Sequence, residues 1–248
     1  MRLRQMTRHR SSTDAEFCKV MLRHKIIHSQ TGDAQMEKSG KGAFIVLEGI
    51  EGAGKSTAIR PVSDFLTESG RKVKHTREPG GTPLAEELRN AIKHEWQEKV
   101  LPVTEIFVMY AARAQLVENV IRPALAEGTF VVGDRHDLST VAYQGGGRGV
   151  ELSVLRTARH MAIGDFRPDL TFLLDISPEL GFERVRKRAE ASDRFENERL
   201  EFFRRVRQAY LDAAAEDSSI EVVDASRTET EVCADIRQRL EVFLCSRG

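Results

Sequence analysis

The chain has 248 residues, 40% of them hydrophobic, which is enough to fill the core of one large α/β domain. Its 38 basic and 38 acidic residues cancel to a formal net charge of zero, so bulk electrostatics predict neither a nucleic-acid nor a membrane partner, and any electrostatic function has to be local. No apolar run approaches the roughly 18 residues of a membrane span, no signal-peptide core is present, and Cys18, Cys233 and Cys245 lack CxxC or metal spacing; a cytoplasmic protein with free thiols is expected.

Residues 1–40 differ from the rest. "MRLRQMTRHR" is basic without a sustained apolar period, "VMLRHKII" is a short apolar patch, and "SQTGDAQMEKSGKG" reads as linker. The segment is expected to be a disordered extension, or to precede a true start at Met36. A basic tail that touches nucleic acid or targets the chain is the other reading. Residues 41–248 are expected to form one domain.

From Ala43 onward strand and helix signals alternate. "AFIVLE" is a buried strand. A helix follows from about Lys55 to Ser69 and stops at Gly70. "KVKHT" is a second strand, and "PLAEELRNAIK" a helix with Pro83 near its start. A long helix covers roughly 104–126 and ends before Gly128. "FVVGD" is the third strand, and "STVAYQGGGRG" holds a flexible glycine loop over Gly145–Gly149. A helix near 151–163 leads to the strand "LTFLLD". Ser177-Pro178 caps the next helix, "ENERLEFFRRVRQAYLDAAAE" is long and helical, "IEVVDA" is the last strand, and an amphipathic helix runs to about Leu244. Five short strands separated by helices predict a doubly covered parallel sheet, an α/β fold with right-handed crossovers. Ligands in such sheets sit beyond the carboxyl ends of the strands. That rule gathers Gly49–Thr57, Arg77–Thr82, Asp134–Asp137 and Asp175–Ser177 at one site.

"GIEGAGKST" fits the phosphate-loop spacing, with Gly49, Gly54, Lys55 and Ser56 in place and no arginine. The residues Gly49, Ile50, Glu51, Gly52, Ala53, Gly54, Lys55, Ser56 and Thr57 are expected to curl around the phosphates of a nucleoside triphosphate. Lys55 supplies a point charge, Ser56 offers a hydroxyl to Mg2+, and the following helix adds its positive dipole end. The loop is shared by phosphotransferases and by NTP-driven switches. A guanine-reading N-K-x-D element is missing from the sequence.

"VGDRH" ends the third strand with Asp134, placed to hold Mg2+ directly or through water, and with Arg135, placed to pair with a phosphate or in a surface ion pair. Glu78-Pro79 is expected to be cis. Arg113 lies on the apolar stripe Ile106, Met109, Leu116, Val117, Val120 of its helix, so its guanidinium either finds an acceptor such as a nucleobase carbonyl or snorkels to the rim. Ser139, Thr140 and Gln144 could read a base edge or a sugar, with a plain connecting loop as the alternative. In "ERVRKRAEASDR" the cations Arg184, Arg186, Arg188 and Arg194 form a basic segment, about 184–196. It reads as a lid over the γ-phosphate, with a solvated basic face as the alternative.

Taken in order, "FIVLEGIEGAGKST", "TREPGGTPLAEELR", "YAARAQ", "VGDRHDLSTVAYQGGGRG" and "GDFRPDLTFLLD" closely resemble the bacterial thymidylate kinases over about Ala43 to Leu244. The resemblance implies a P-loop nucleoside monophosphate kinase fold, a five-stranded parallel sheet with helices on both faces and a mobile lid, converting ATP and dTMP to ADP and dTDP with Mg2+. It implies catalytic roles for Lys55, Arg188, Arg135 and Glu51. It also implies dTMP contacts from Glu51, Glu78, Arg89, Met109, Arg113, Arg135, Thr140 and Gln144, a homodimer through helices that include 104–126, and a lid that supplies the cation missing from the loop. The position four before the base-reading arginine is often phenylalanine in this family; here it is Met109. A kinase for another nucleoside monophosphate and a non-catalytic nucleotide-binding protein are the alternatives.

Overall fold

The computed structural model describes residues 41–187, 195 and 198–247. The basic extension, Cys18, Arg188 and Arg194 lie outside the described residues. Five strands form one parallel sheet in the order β2-β3-β1-β4-β5, where β1 is Phe44–Glu48, β2 Val73–Arg77, β3 Phe130–Asp134, β4 Leu170–Asp175 and β5 Ile220–Asp224. β1 is central, and all five of its residues are buried. The edge strands β2 and β5 are half exposed, so "KVKHT" can carry charges without special partners, whereas the one carboxylate of β1, Glu48, is buried.

Both faces of the sheet are covered. Ala43, Ile45 and Leu47 join the larger core with Phe65, Leu66, Phe172 and Tyr210, whereas Phe44 and Val46 join a second core with Leu116, Val117, Ile121 and Val131. This is the two-residue alternation of a strand buried on both sides. Helix α1 (Lys55–Glu68) ends at Ser69 with Gly70 at φ 78°. α2 (Pro83–Lys93) starts on Thr82, whose hydroxyl accepts from the Ala85 amide. α7 (Pro178–Arg186) starts on Ser177 in the same way.

Two expectations about local structure are corrected. The long helix is not one regular α-helix. α3 (Pro102–Leu116) passes through a π-helical turn, Val117–Ile121, before α4 (Arg122–Ala126). Pro123 has no N–H and its ring crowds the preceding turn; the wider turn, closed by the Arg122 amide on the Val117 carbonyl, absorbs that crowding. The glycine run is not a flexible loop either. After α5 (Asp137–Thr140) a π-helix spans Val141–Gly147 and lies on α8 (Leu200–Glu216). A Cβ on Gly147 would stand 2.4 Å from the Phe202 ring, and one on Gly146 2.5 Å from the Ala209 Cβ. These glycines serve close approach of two helices. α6 (Leu152–Ile163) and α9 (Glu229–Ser246) complete the fold.

The amino end of the sheet is clasped. Asp169 accepts from the Phe44 amide through one oxygen and from Arg247 through the other, and Arg247 also donates to the Gly42 carbonyl. Among the described residues no helix is long and apolar enough to cross a membrane.

Candidate active site

The segments expected to meet do meet beyond the carboxyl ends of β1, β2, β3 and β4. Gly49–Thr57 wraps the start of α1. Gly52 can approach α7 closely because it lacks a Cβ, which would stand 2.3 Å from the Gly181 carbonyl oxygen. Lys55 folds back into the loop, and its ammonium donates to the carbonyls of Gly49 and Ile50 at 2.9 and 3.0 Å. Burial and the neighbouring Arg135 charge push this lysine down to about 8 from 10.5, against the pull of Asp134, Glu51 and Glu48. Ser56 and Thr57 are exposed at the helix start, where free amides and the helix dipole favour an anion.

On one side of the loop a cleft of about 950 Å³ is lined by Gly52, Ala53, Gly54, Thr57, Arg184, Lys187 and the turn Ala225 to Glu229. Sequence reasoning missed this turn as part of the site. Arg184 was expected as a lid cation, but it is a strut: its guanidinium donates to the Ala225 carbonyl at 2.9 Å and reaches the Gly52 carbonyl at 3.4 Å. Arg184 and Arg186, where a lid was expected to begin, both belong to α7.

On the other side lies a cleft of about 730 Å³, lined by Glu51, Glu78, Arg89, Met109, Arg113, Asp134, Arg135, Thr140, Tyr143, Gln144 and Phe195, among others. Every acceptor-side residue named from the sequence is therefore on its wall. Glu51 faces this cleft, accepting from Arg135 at 2.8 Å and from the Tyr143 hydroxyl. Arg135 adopts φ 68°, an uncommon conformation for a side-chain-bearing residue. It is held there by donation to the Gly49 carbonyl, Ser139, Tyr210, Glu51 and Tyr143, and its guanidinium stacks 5.1 Å over the Tyr143 ring. It is not a surface ion pair, since its side chain is only 17% exposed. Burial works against its charge, but Tyr143 and Glu51 more than compensate, and its pKa lies well above the usual value.

Arg113 is buried, as its stripe position required, but the protein itself supplies the acceptors. Nε donates to Glu78 at 2.6 Å, and Nη2 to the His136 carbonyl and to Thr140 Oγ1, each at 3.0 Å. Nη1 has only a 3.4 Å contact with Asp137. The guanidinium lies 4.9 Å over the Tyr110 ring. Glu78 uses its other oxygen on His136 Nδ1 at 2.6 Å. Both of its oxygens are engaged inside the protein, so on this wall of the cleft Glu78 holds Arg113 and His136 in place. Burial alone would raise the Glu78 carboxyl, but Arg113 and His136 hold it below its ordinary value. Arg89 donates to the Pro79 carbonyl at 2.7 Å, across the Glu78-Pro79 bond, which is cis.

Behind the cleft stand groups that the sequence did not reveal. Glu48, fully buried at the end of β1, accepts from the His136 and Ser139 amides, the Ser139 hydroxyl and Tyr210. Burial pushes its carboxyl above the usual range, and Arg135 and these hydrogen bonds restrain the rise. Glu48 thus braces the turn that carries Arg135. Phe195 also lines the cleft, with its ring 6.2 Å from that of Tyr143. Asp134 Oδ1 is buried with no hydrogen-bond partner among the described residues. A carboxylate oxygen left that way beside Lys55 suits a divalent cation.

A phosphate loop with its lysine, beside a second cleft lined by Arg89, Arg113 and Arg135 with Gln144 and Met109 on its wall, defines a P-loop nucleoside monophosphate kinase. The comparisons with known proteins narrow the class. Residues 47–236 match the family model described as thymidylate kinase. A protein of Idiomarina loihiensis (strain ATCC BAA-735 / DSM 15497 / L2-TR), named "Thymidylate kinase", is 52% identical over 203 residues, 82% of this chain and 98% of the relative. The chain belongs to the thymidylate kinase family. It is an ATP-dependent kinase that phosphorylates dTMP.

Proposed function

We propose that the chain binds ATP at Gly49–Thr57 and dTMP in the cleft of Glu51, Arg113 and Gln144, and that the two meet at Lys55, Arg135 and Asp134. The observation that carries this reading is the cluster at the end of β3. The lysine of the triphosphate loop lies within electrostatic reach of Arg135 and Asp134, both of which line the second cleft, and one oxygen of Asp134 is without a partner among the described residues. The acceptor of the reaction is already a phosphate anion, so the site needs alignment and charge compensation more than a general base. Arg135, with Arg89 on the same wall, aligns the phosphate of dTMP. Glu51 holds Arg135 in place from the acceptor side. Lys55 leaves the carbonyls of Gly49 and Ile50 for the phosphates of ATP. Arg113, Thr140, Gln144 and Met109 surround the base, the last through a polarisable sulfur.

Ser56 and Asp134 would hold Mg2+, whose charge offsets that of the phosphate oxygens when it is bound. The lid segment, expected at about 184–196, supplies through Arg188 and Arg194 the cation that the loop lacks, and Phe195 helps exclude water from the acceptor cleft. Residues 1–40 precede this catalytic unit, which works in the cytoplasm. Two copies associate through α2, α3 and α6, whose outer surface exposes Leu84, Val103, Phe107 and Leu152. A binding and kinetic comparison tests the site. Gln144→Ala is expected to raise KM for dTMP with KM for ATP kept, and Asp134→Asn to raise the Mg2+ concentration needed for half-maximal rate. The opposite pattern would exchange or remove these assignments.

A further inference from the structure

We infer that Glu105, a residue outside both clefts, sets the base selectivity of the acceptor site by fixing which end of the Gln144 amide faces the nucleotide. Glu105 sits in the first turn of α3 and is fully buried. Its Oε2 accepts from Gln144 Nε2 at 2.8 Å. Arg148 holds the same carboxylate on both oxygens, Nε on Oε2 at 3.3 Å and Nη2 on Oε1 at 3.1 Å. Arg148 is held in turn by Glu198 and by the Phe202 ring, 4.7 Å beneath its guanidinium. A buried carboxylate compensated by an arginine accepts hydrogen bonds and donates none. Only the NH2 end of the Gln144 amide can face it. The amide oxygen is therefore directed away from Glu105, and it has no partner among the described residues, on a side chain that lines the acceptor cleft.

A carbonyl oxygen fixed in that direction calls for a donor on the base. Thymine and uracil carry an N–H between two carbonyls. Cytosine carries a lone pair at that ring position, so two acceptors would oppose one another. Leaving such a pair unmade inside a closed site is the kind of mismatch that separates substrates strongly. Glu105 is thus a positioning residue acting through Gln144. It discriminates against cytosine and not between thymine and uracil, whose edges are alike. The inference rests on the proposed placement of dTMP in this cleft.

The test is Glu105→Gln, which keeps the shape and lets the Gln144 amide turn over. Specificity constants for dTMP, dUMP and dCMP are measured, or dissociation constants where turnover is too slow. The preference for dTMP over dCMP is expected to fall at least about tenfold, while the dTMP to dUMP ratio and KM for ATP stay at their wild-type values. A uniform loss on all three nucleotides would mean a structural role only and would overturn the inference. Should the variant fail to fold, the wild-type protein is titrated with N3-methyl-dTMP. It is expected to bind at least about tenfold more weakly than dTMP, and equal binding overturns the inference. Gln144→Ala separates the two levels: if it leaves dTMP affinity unchanged, the placement of the nucleotide fails and not the Glu105 argument alone.

Discussion

Glu78→Gln removes one charge from a pair buried on both sides. The Arg113 and Glu78 side chains are 2% and 4% exposed, so solvent cannot take over the lost partner. Removing one member of a buried ion pair costs about 3–5 kcal/mol. Glutamine keeps the shape and one acceptor oxygen, which places the expected loss near the lower figure, about 3 kcal/mol. The new NH2 group must also face either Arg113 or His136. Facing His136, it obliges Nδ1 to accept, and the ring proton moves to Nε2, which is buried without a partner next to the rings of Phe44 and Phe166. For a domain of this size, 1 kcal/mol shifts the melting temperature by about 2–4 °C, so Tm should fall by roughly 6–12 °C. The pH dependence carries a sign. The folded Glu78 pKa lies below 4.5, so its stabilisation is complete above about pH 4.5 and is lost as the pH falls through the folded value. The Tm gap between wild type and variant should be constant near neutrality and narrow in acid. Arg113, freed from its strongest tether, should also raise KM for dTMP more than it lowers kcat. Thermal unfolding by circular dichroism across pH, with steady-state kinetics, measures both. A Tm shift under about 2 °C, or a gap that widens in acid, would refute the reasoning.

Three further outcomes are expected. Because burial and Arg135 push Lys55 down to about 8 and phosphates favour its charged form, ATP binding at pH 8 should take up about half a proton. Calorimetry in buffers of different ionisation enthalpy reads this uptake, which should vanish near pH 6.5 and in Lys55→Arg. Gly147→Ala puts a methyl group against the buried Phe202 ring and should destabilise by about 1–3 kcal/mol in urea unfolding; a neutral result would mean that the π-helix shifts freely off α8. Phe107 is 67% exposed on α3, and Phe107→Glu should convert a sedimenting dimer to monomer with the fold intact, whereas an unchanged sedimentation coefficient would move the interface elsewhere.

The phosphate loop was legible because its chemistry is carried by consecutive residues between a strand and a helix. Thr82 and Ser177 were equally local signals. Arg113 was singled out because a charge on an apolar stripe is anomalous, but its acceptors could not be named, since Glu78, His136 and Thr140 come from two other segments. Glu48 shows the limit. It looks like the last residue of a strand, and its partner Tyr210 lies 162 residues away. A carboxylate ending a wholly buried strand was the available signal. The glycines at 145–147 were misread because local sequence does not distinguish a backbone that must bend from one that must be approached. Only α8, arriving later in the chain, decides between the two. The π-turn before Pro123 was readable in principle, because a proline one turn from a helix end asks for some such accommodation.

The clasp of Asp169, Phe44 and Arg247 has a practical consequence. It ties the entry to β1 and the end of α9 together at the amino pole of the sheet, while both clefts open at the carboxyl pole. Gly42 and Arg247 therefore meet on the far side of the sheet from the nucleotides. A fusion partner, affinity handle or surface tether that replaces residues 1–40 or follows residue 247 should therefore leave substrate access unobstructed, and two such attachments would start from neighbouring points.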